Sequence, residues 1–210
     1  MSKQDVARAL VQRHGTTYAE QAGIRLKDTP ASLYQLLVLS VLLSARIRAD
    51  VAATAASELF KAGLRTPKAM RDATWQQRVD ALGRGHYRRY DERTSTMLGD
   101  GAELILQRWG GDLRRMHAEA GSTRGLEQLL QEIPGIGPSG AAIFCREVQG
   151  VWTDIAPYAD EKVAEGAQRV GLPKTPDRLA SYAPPGAFAR LASACVRAAL
   201  SKDVVADVRG

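Results

Sequence analysis

The run Ile133-Pro134-Gly135-Ile136-Gly137-Pro138 stands between two apolar stretches with helical character. Glycines at 135 and 137 permit backbone angles closed to other residues and let a partner approach the main chain. Their N–H groups would lie at the start of the following helix, where exposed donors and the positive end of the helix dipole favour an anion such as a phosphate. Pro138 suits the first turn of that helix, where a missing N–H is no loss. A plain helix corner with glycine as a stop accounts for a lone Gly-X-Gly. The fuller pattern adds Leu129, Leu130 and Ile133 before the turn, Ile136 as an apolar plug within it, and Ala141-Ala142 where helices must pack closely. That pattern predicts backbone binding of DNA by Pro134, Gly135, Ile136, Gly137 and Ser139.

Other residues with chemical potential are fewer. Three scattered histidines (His14, His86, His117) and two distant cysteines (Cys145, Cys195) show no metal-ligand spacing. Both cysteines fall in apolar helical stretches and read as buried reduced thiols. The stretch from Gly83 to Arg93 interleaves bases with Tyr87 and Tyr90, a composition that suits either a nucleic-acid cleft, with Tyr87 against an unstacked base, or a solvated loop and helix start. Trp75 and Trp109 read as core.

The chain of 210 residues carries a net charge of +6 and an isoelectric point near 9.5, which suits a polyanionic partner. No alternating apolar pattern persists, and alanine, leucine and arginine dominate, so the fold class is all-α. Helices are expected near 4–13, 33–45, 50–61, 89–108, 124–132, 138–148 and 161–170, with a last one from 187. Thr66-Pro67, Thr74 and Ser122-Thr123 are further start signals. The most apolar run, Leu33 to Ala45, is shorter than the roughly 20 residues a bilayer span needs and reads as a buried core helix. The polar N-terminus has no apolar secretion signal, so a cytoplasmic protein is expected.

From about Leu33 to Leu172 the sequence resembles the helix-hairpin-helix superfamily of base-excision DNA glycosylases, the group that includes endonuclease III. Its most specific part is Leu130-Gln131-Glu132-Ile133-Pro134-Gly135-Ile136-Gly137, and Val41 to Arg46 followed by Asp50-Val51 is similar to the family's early helix and loop. The resemblance implies two helical lobes with a DNA-binding cleft between them and the hairpin at their junction. Residues 30–148 would form one lobe, and 1–29 with 149–210 the other. It implies double-stranded DNA containing a damaged base as partner, no membrane, no obligate protein partner and a nucleoid-associated location. Arg46, with Ile47 and Arg48 beside it, would fill the gap left by an extruded base. Tyr87, Trp152 and Tyr158 would shape the pocket, although core packing explains the last two equally well.

The family's second signature is an aspartate at a helix start beyond the hairpin. Tyr158-Ala159-Asp160-Glu161-Lys162-Val163 offers Asp160, which also reads as an ordinary N-cap; Asp154 is the other candidate, in mid-loop with no clear helix to cap. A fixed carboxylate stabilises the cationic sugar that forms as an N-glycosidic bond breaks, and can orient a water. Asp160 lies 21 positions beyond Ser139 (160 − 139), a longer spacing than in the endonuclease III branch. Members that cleave the strand carry a lysine two residues after the second hairpin glycine; here that position is Ser139, which cannot form a Schiff base. Lys162 is a poor substitute, since two positions along a helix turn a side chain to another face. The expectation is a monofunctional glycosylase that uses water. No iron–sulfur cluster is expected, because Cys195 is the one cysteine in the C-terminal region; a monovalent cation at the hairpin is compatible with this reading. A catalytically inactive lesion- or structure-binding protein of the same fold is the alternative. A helical scaffold with no DNA role would leave the glycine hairpin unexplained.

Overall fold

The computed structural model describes residues 2–209. Among them every regular element is a helix: α1 Lys3–His14, α2 Tyr18–Gln21, α3 Pro30–Leu43, α4 Ala49–Lys61, α5 Pro67–Asp72, α6 Trp75–Arg84, α7 Asp91–Trp109, α8 Leu113–Ala120, α9 Thr123–Leu130, α10 Pro138–Val148, α11 Glu161–Arg169, α12 Pro176–Ala180, α13 Phe188–Leu200 and α14 Lys202–Arg209. None of these is long and apolar enough to cross a membrane.

Local chemistry accounts for most boundaries. Ser2 and Thr74 each close a reciprocal capping box, with Asp5 and Gln77 as the reaching partners. Thr66, Asp112 and Ser122 accept from the first free N–H groups of α5, α8 and α9, and such caps are worth about 1 kcal/mol each. Pro30 opens α3, but Thr29 makes no side-chain cap there.

The chain divides into two compact units, residues 19–145 and residues 1–18 with 146–210. From the sequence, these limits are expected at 29/30 and 148/149. Residues 19–29 cluster with the longer unit, and the last turn of α10 clusters with the shorter one.

In the longer unit α3 is the central element. Leu33, Leu36, Leu37, Val38, Leu39, Val41 and Leu42 are all buried, as expected of an apolar run with no polar face. It packs on α4, α7 and α8. The two glycines inside α7 have packing reasons. A side chain at Gly99 would meet the Arg78 guanidinium at 2.8 Å, and one at Gly101 would meet Ile133 at 3.1 Å. Arg78 is itself buried, and its guanidinium donates to the carbonyls of Met70, Ala73 and Ser95, tying α5, α6 and α7 together. Trp109 is core as expected. Trp75 is not: it is 41% exposed, because it opens α6 and its indole N–H reaches sideways to Thr96.

In the shorter unit α13 is the hub, packing on α1, α11 and α14. Leu191, Ala192, Cys195 and Ala199 are buried along it. Cys145 and Cys195 are buried free thiols. Burial alone pushes Cys195 up to about 12, and chiefly burial raises Cys145. The helix Lys202–Arg209 and the short α2 and α12 were not anticipated. The first makes up for its small size with Val208, which is buried, and with Asp207, which receives His14 at 2.9 Å and Arg13 at 3.3 Å.

The tightest crossing is that of α11 and α13. A Cβ on Gly166 would lie 1.7 Å from the carbonyl oxygen of Cys195, so only glycine fits. Gly166→Ala should therefore destabilise the protein by about 1–3 kcal/mol through overpacking, although alanine is favoured over glycine in a free helix by about 1 kcal/mol. Denaturant unfolding checks this, and a gain in stability would contradict the close crossing.

Candidate functional site

The hairpin lies between α9 and α10. Gly135 has φ +89, a left-handed backbone that favours glycine. A Cβ there would also press on Val41 at 3.0 Å. The turn is closed by the Ile136 N–H donating to the Ile133 carbonyl at 3.0 Å. Ile133 and Ile136 are both buried, so the turn is anchored by the plug that its sequence suggested. Ser44, at the end of α3, donates its hydroxyl to the Gly135 carbonyl at 3.3 Å. The Gly137 carbonyl accepts from Ala141 and so begins α10. The N–H groups of Gly137 and Ser139 make no backbone hydrogen bond among the described residues. They are the free donors expected at a helix start.

Within the longer unit this turn forms one wall of a pocket of about 480 Å³. Gly135, Ile136 and Gly137 face Val41, Ser44 and Arg46 from the end of α3 and its loop, and Tyr87, Tyr90, Arg93, Thr94 and Met97 from the loop before α7 and its first turns. Of the residues singled out from sequence, Arg46, Tyr87 and the hairpin are thus brought together. Arg46 and Arg93 are exposed and neither makes an ion pair among the described residues. Two uncompensated cations beside free N–H groups make this surface electropositive. Tyr87 is fully buried, with Thr94 donating to its hydroxyl at 3.4 Å; burial raises the affinity of that phenol for its proton. The aromatic surface left accessible belongs to half-buried Tyr90, over whose ring Arg89 lies at 5.3 Å. Ile47 and Arg48 do not line the pocket; Arg48 is exposed and turned to an ion pair with Asp50.

Asp160, Trp152 and Tyr158 belong to the shorter unit. Asp160 is the N-cap of α11, and its Oδ1 accepts from the Val163 N–H at 2.9 Å. Gln149 helps to fasten the loop before it. Gln149 donates to the Tyr158 carbonyl at 3.0 Å and accepts from the Tyr158 N–H at 2.8 Å. Its amide also donates to the Arg146 carbonyl at 2.9 Å. Trp152 is buried and Ile155 packs inward with it, while Asp154 is exposed in mid-loop. Lys162 turns away to Glu165 at 2.7 Å.

One residue of this site carried no signal in the sequence. Arg146, in the last turn of α10, places Nη1 2.5 Å from Asp160 Oδ2. Its side chain is 5% exposed and that of Asp160 is 14% exposed. The Arg146 Nε is buried with no partner. The aspartate is therefore half of a largely buried ion pair as well as a helix cap. Two residues 14 positions apart, on different helices, leave no local pattern from which to read such a contact.

Among solved structures that share this fold is a trapped endonuclease III–DNA covalent intermediate in its estranged-adenine complex. The TM-score is 0.51 at 14% identity, over 93% of this chain and 85% of that one. The all-helical endonuclease III fold is thereby shown for this chain. No protein-family model matches it, and no curated protein matches it.

Removing one partner of a buried ion pair leaves the other charge stranded, at about 3–5 kcal/mol, whereas replacing both by apolar groups is often neutral. Asp160→Ala should thus lower stability by about 3–5 kcal/mol. Adding Arg146→Met to it should recover most of the loss. Urea titrations of the two single variants and the double variant measure the coupling; additive losses would contradict the pair.

Proposed function

We propose that this protein is a DNA-repair glycosylase that binds duplex DNA and releases a damaged base by hydrolysis. The observation that carries the reading is the pocket of the longer unit, where a left-handed glycine turn with free N–H groups shares a wall with two unpaired arginines. A phosphate backbone supplies the anion for such a surface, and arginine donors fit it well. The endonuclease III fold supports the same conclusion. A base is reached only by taking it out of the stack, which costs a few kcal/mol and is easiest at a lesion.

In the mechanism, Gly137 and Ser139 N–H groups hold a phosphate, and Arg46 fills space left in the duplex. Asp160 faces the sugar as the bond from C1′ to the base nitrogen breaks. The bonding electrons leave with the base, the carboxylate opposes the charge on the sugar, and water attacks C1′ as its proton is lost to solvent while the departing base nitrogen takes one up from solvent. Ser139 has no amine to form an adduct, so an abasic site with an intact strand is the product. The two thiols, both buried, fall short of the four ligands of an iron–sulfur cluster, and apolar packing of α13 takes its place in this reading.

A lesion- or structure-binding protein without chemistry is the second reading, and the Arg146–Asp160 pair favours it. A guanidinium in contact with the carboxylate offsets the charge that the reaction would use.

Asp160→Asn is expected to abolish base release while keeping affinity for lesion duplex within about threefold, since neutralising a group that acts in the transition state spares ground-state binding. Unchanged turnover would remove Asp160 from the mechanism. Borohydride added during turnover should trap no covalent protein–DNA complex; a stable adduct would overturn the water-only route.

A further inference from the structure

We propose that Arg146 is a positioning residue for Asp160, one that fixes the orientation of the carboxylate and attenuates the negative charge it presents. The proposal rests on the reading of Asp160 as the group that faces the sugar.

A helix cap alone does not call for a buried arginine. Asp160 satisfies α11 through Oδ1, which takes the Val163 N–H at 2.9 Å, and an N-cap aspartate needs no more. Arg146 engages the other oxygen, Oδ2, at 2.5 Å. With both oxygens held, the carboxylate has one orientation.

Arg146 is equally well fixed. Its carbonyl is tied by Gln149, and the same Gln149 amide grips the backbone of Tyr158 from both sides, two residues before Asp160. The next residue, Glu147, is buried and receives the Ser193 hydroxyl at 3.1 Å. Main chain and side chain of Arg146 thus hold opposite ends of one short segment.

The arrangement is not the one that stability alone would favour. A buried Nε without an acceptor is destabilising, and apolar residues would fill the space as well or better. The guanidinium adds a fixed positive charge beside the carboxylate. A cation arriving at Asp160 meets an ion pair rather than a lone carboxylate, and so is attracted less strongly. Arg146 therefore sets how much of the aspartate's charge the sugar experiences.

The test uses duplexes bearing a pyrrolidine in place of one deoxyribose, cationic at neutral pH, against duplexes bearing the neutral tetrahydrofuran. Full-length wild type, Arg146→Gln and Asp160→Asn are compared by equilibrium binding. Wild type should prefer the cationic duplex by no more than about threefold, Arg146→Gln should raise that preference by about tenfold, and Asp160→Asn should abolish it, as expected when one charge of a close pair is removed. A structural role alone would change stability and leave the preference unmoved. Wild type already preferring the cationic duplex strongly, with Arg146→Gln leaving or lowering that preference, would overturn the role of Arg146 while keeping Asp160 at the sugar. No preference in any protein would overturn both.

Should Arg146→Gln fail to fold, the wild-type protein still decides. Its Arg146 Nε–H resonance should shift when the pyrrolidine duplex binds and stay in place with the tetrahydrofuran duplex. Equal behaviour with both would contradict the proposal.

Discussion

A carboxylate withdrawn from water has to be paired or hydrogen-bonded, and much of the shorter unit answers that requirement for Asp160. The Val163 N–H takes one oxygen and Arg146 the other. To deliver both partners, the last turn of α10 and the first turn of α11 must be held in register. Gln149 does so by bridging Arg146 and Tyr158, and the crossing at Gly166 presses α11 onto α13. Capping, loop shape and helix packing here serve a single charged group.

The longer unit is organised by shape instead. An almost wholly apolar α3 fills its centre, and its end delivers Val41, Ser44 and Arg46 to the glycine turn. The turn needs a left-handed residue at 135 and buried isoleucines on either side. The outcome is an electropositive surface with main-chain donors, complementary to a polyanion. In the proposed reading, the longer unit would supply the anion-binding surface and the shorter one the carboxylate.

Much of this was legible in the sequence, for identifiable reasons. Glycine, proline and capping residues act within one turn of chain, so the hairpin, the start of α11 and most long helices could be placed from neighbours alone. Asp160 could be placed at a helix start because a cap has a local signature. Arg146 was not, since a buried ion pair between helices depends on tertiary packing. Tyr90 and Arg93 were read as part of a basic, aromatic stretch, but which side chains of it reach the pocket depends on how α7 packs, and Tyr87 proved to be buried under it. Short helices such as α12 and α14 hold too few turns for a period to show. By residue type Trp75 reads as core, whereas its place at a helix start leaves it half in solvent.

If this protein removes bases from damaged DNA, as proposed, it leaves a free base and an abasic strand. The most direct measurement exposes it to duplexes carrying alkylated, oxidised or deaminated bases and follows the free base by mass spectrometry and the strand by electrophoresis before and after alkali. A released base is expected from at least one lesion class, with a strand that breaks only on alkaline treatment. Tight, salt-sensitive binding to these duplexes with no base released from any of them would contradict it.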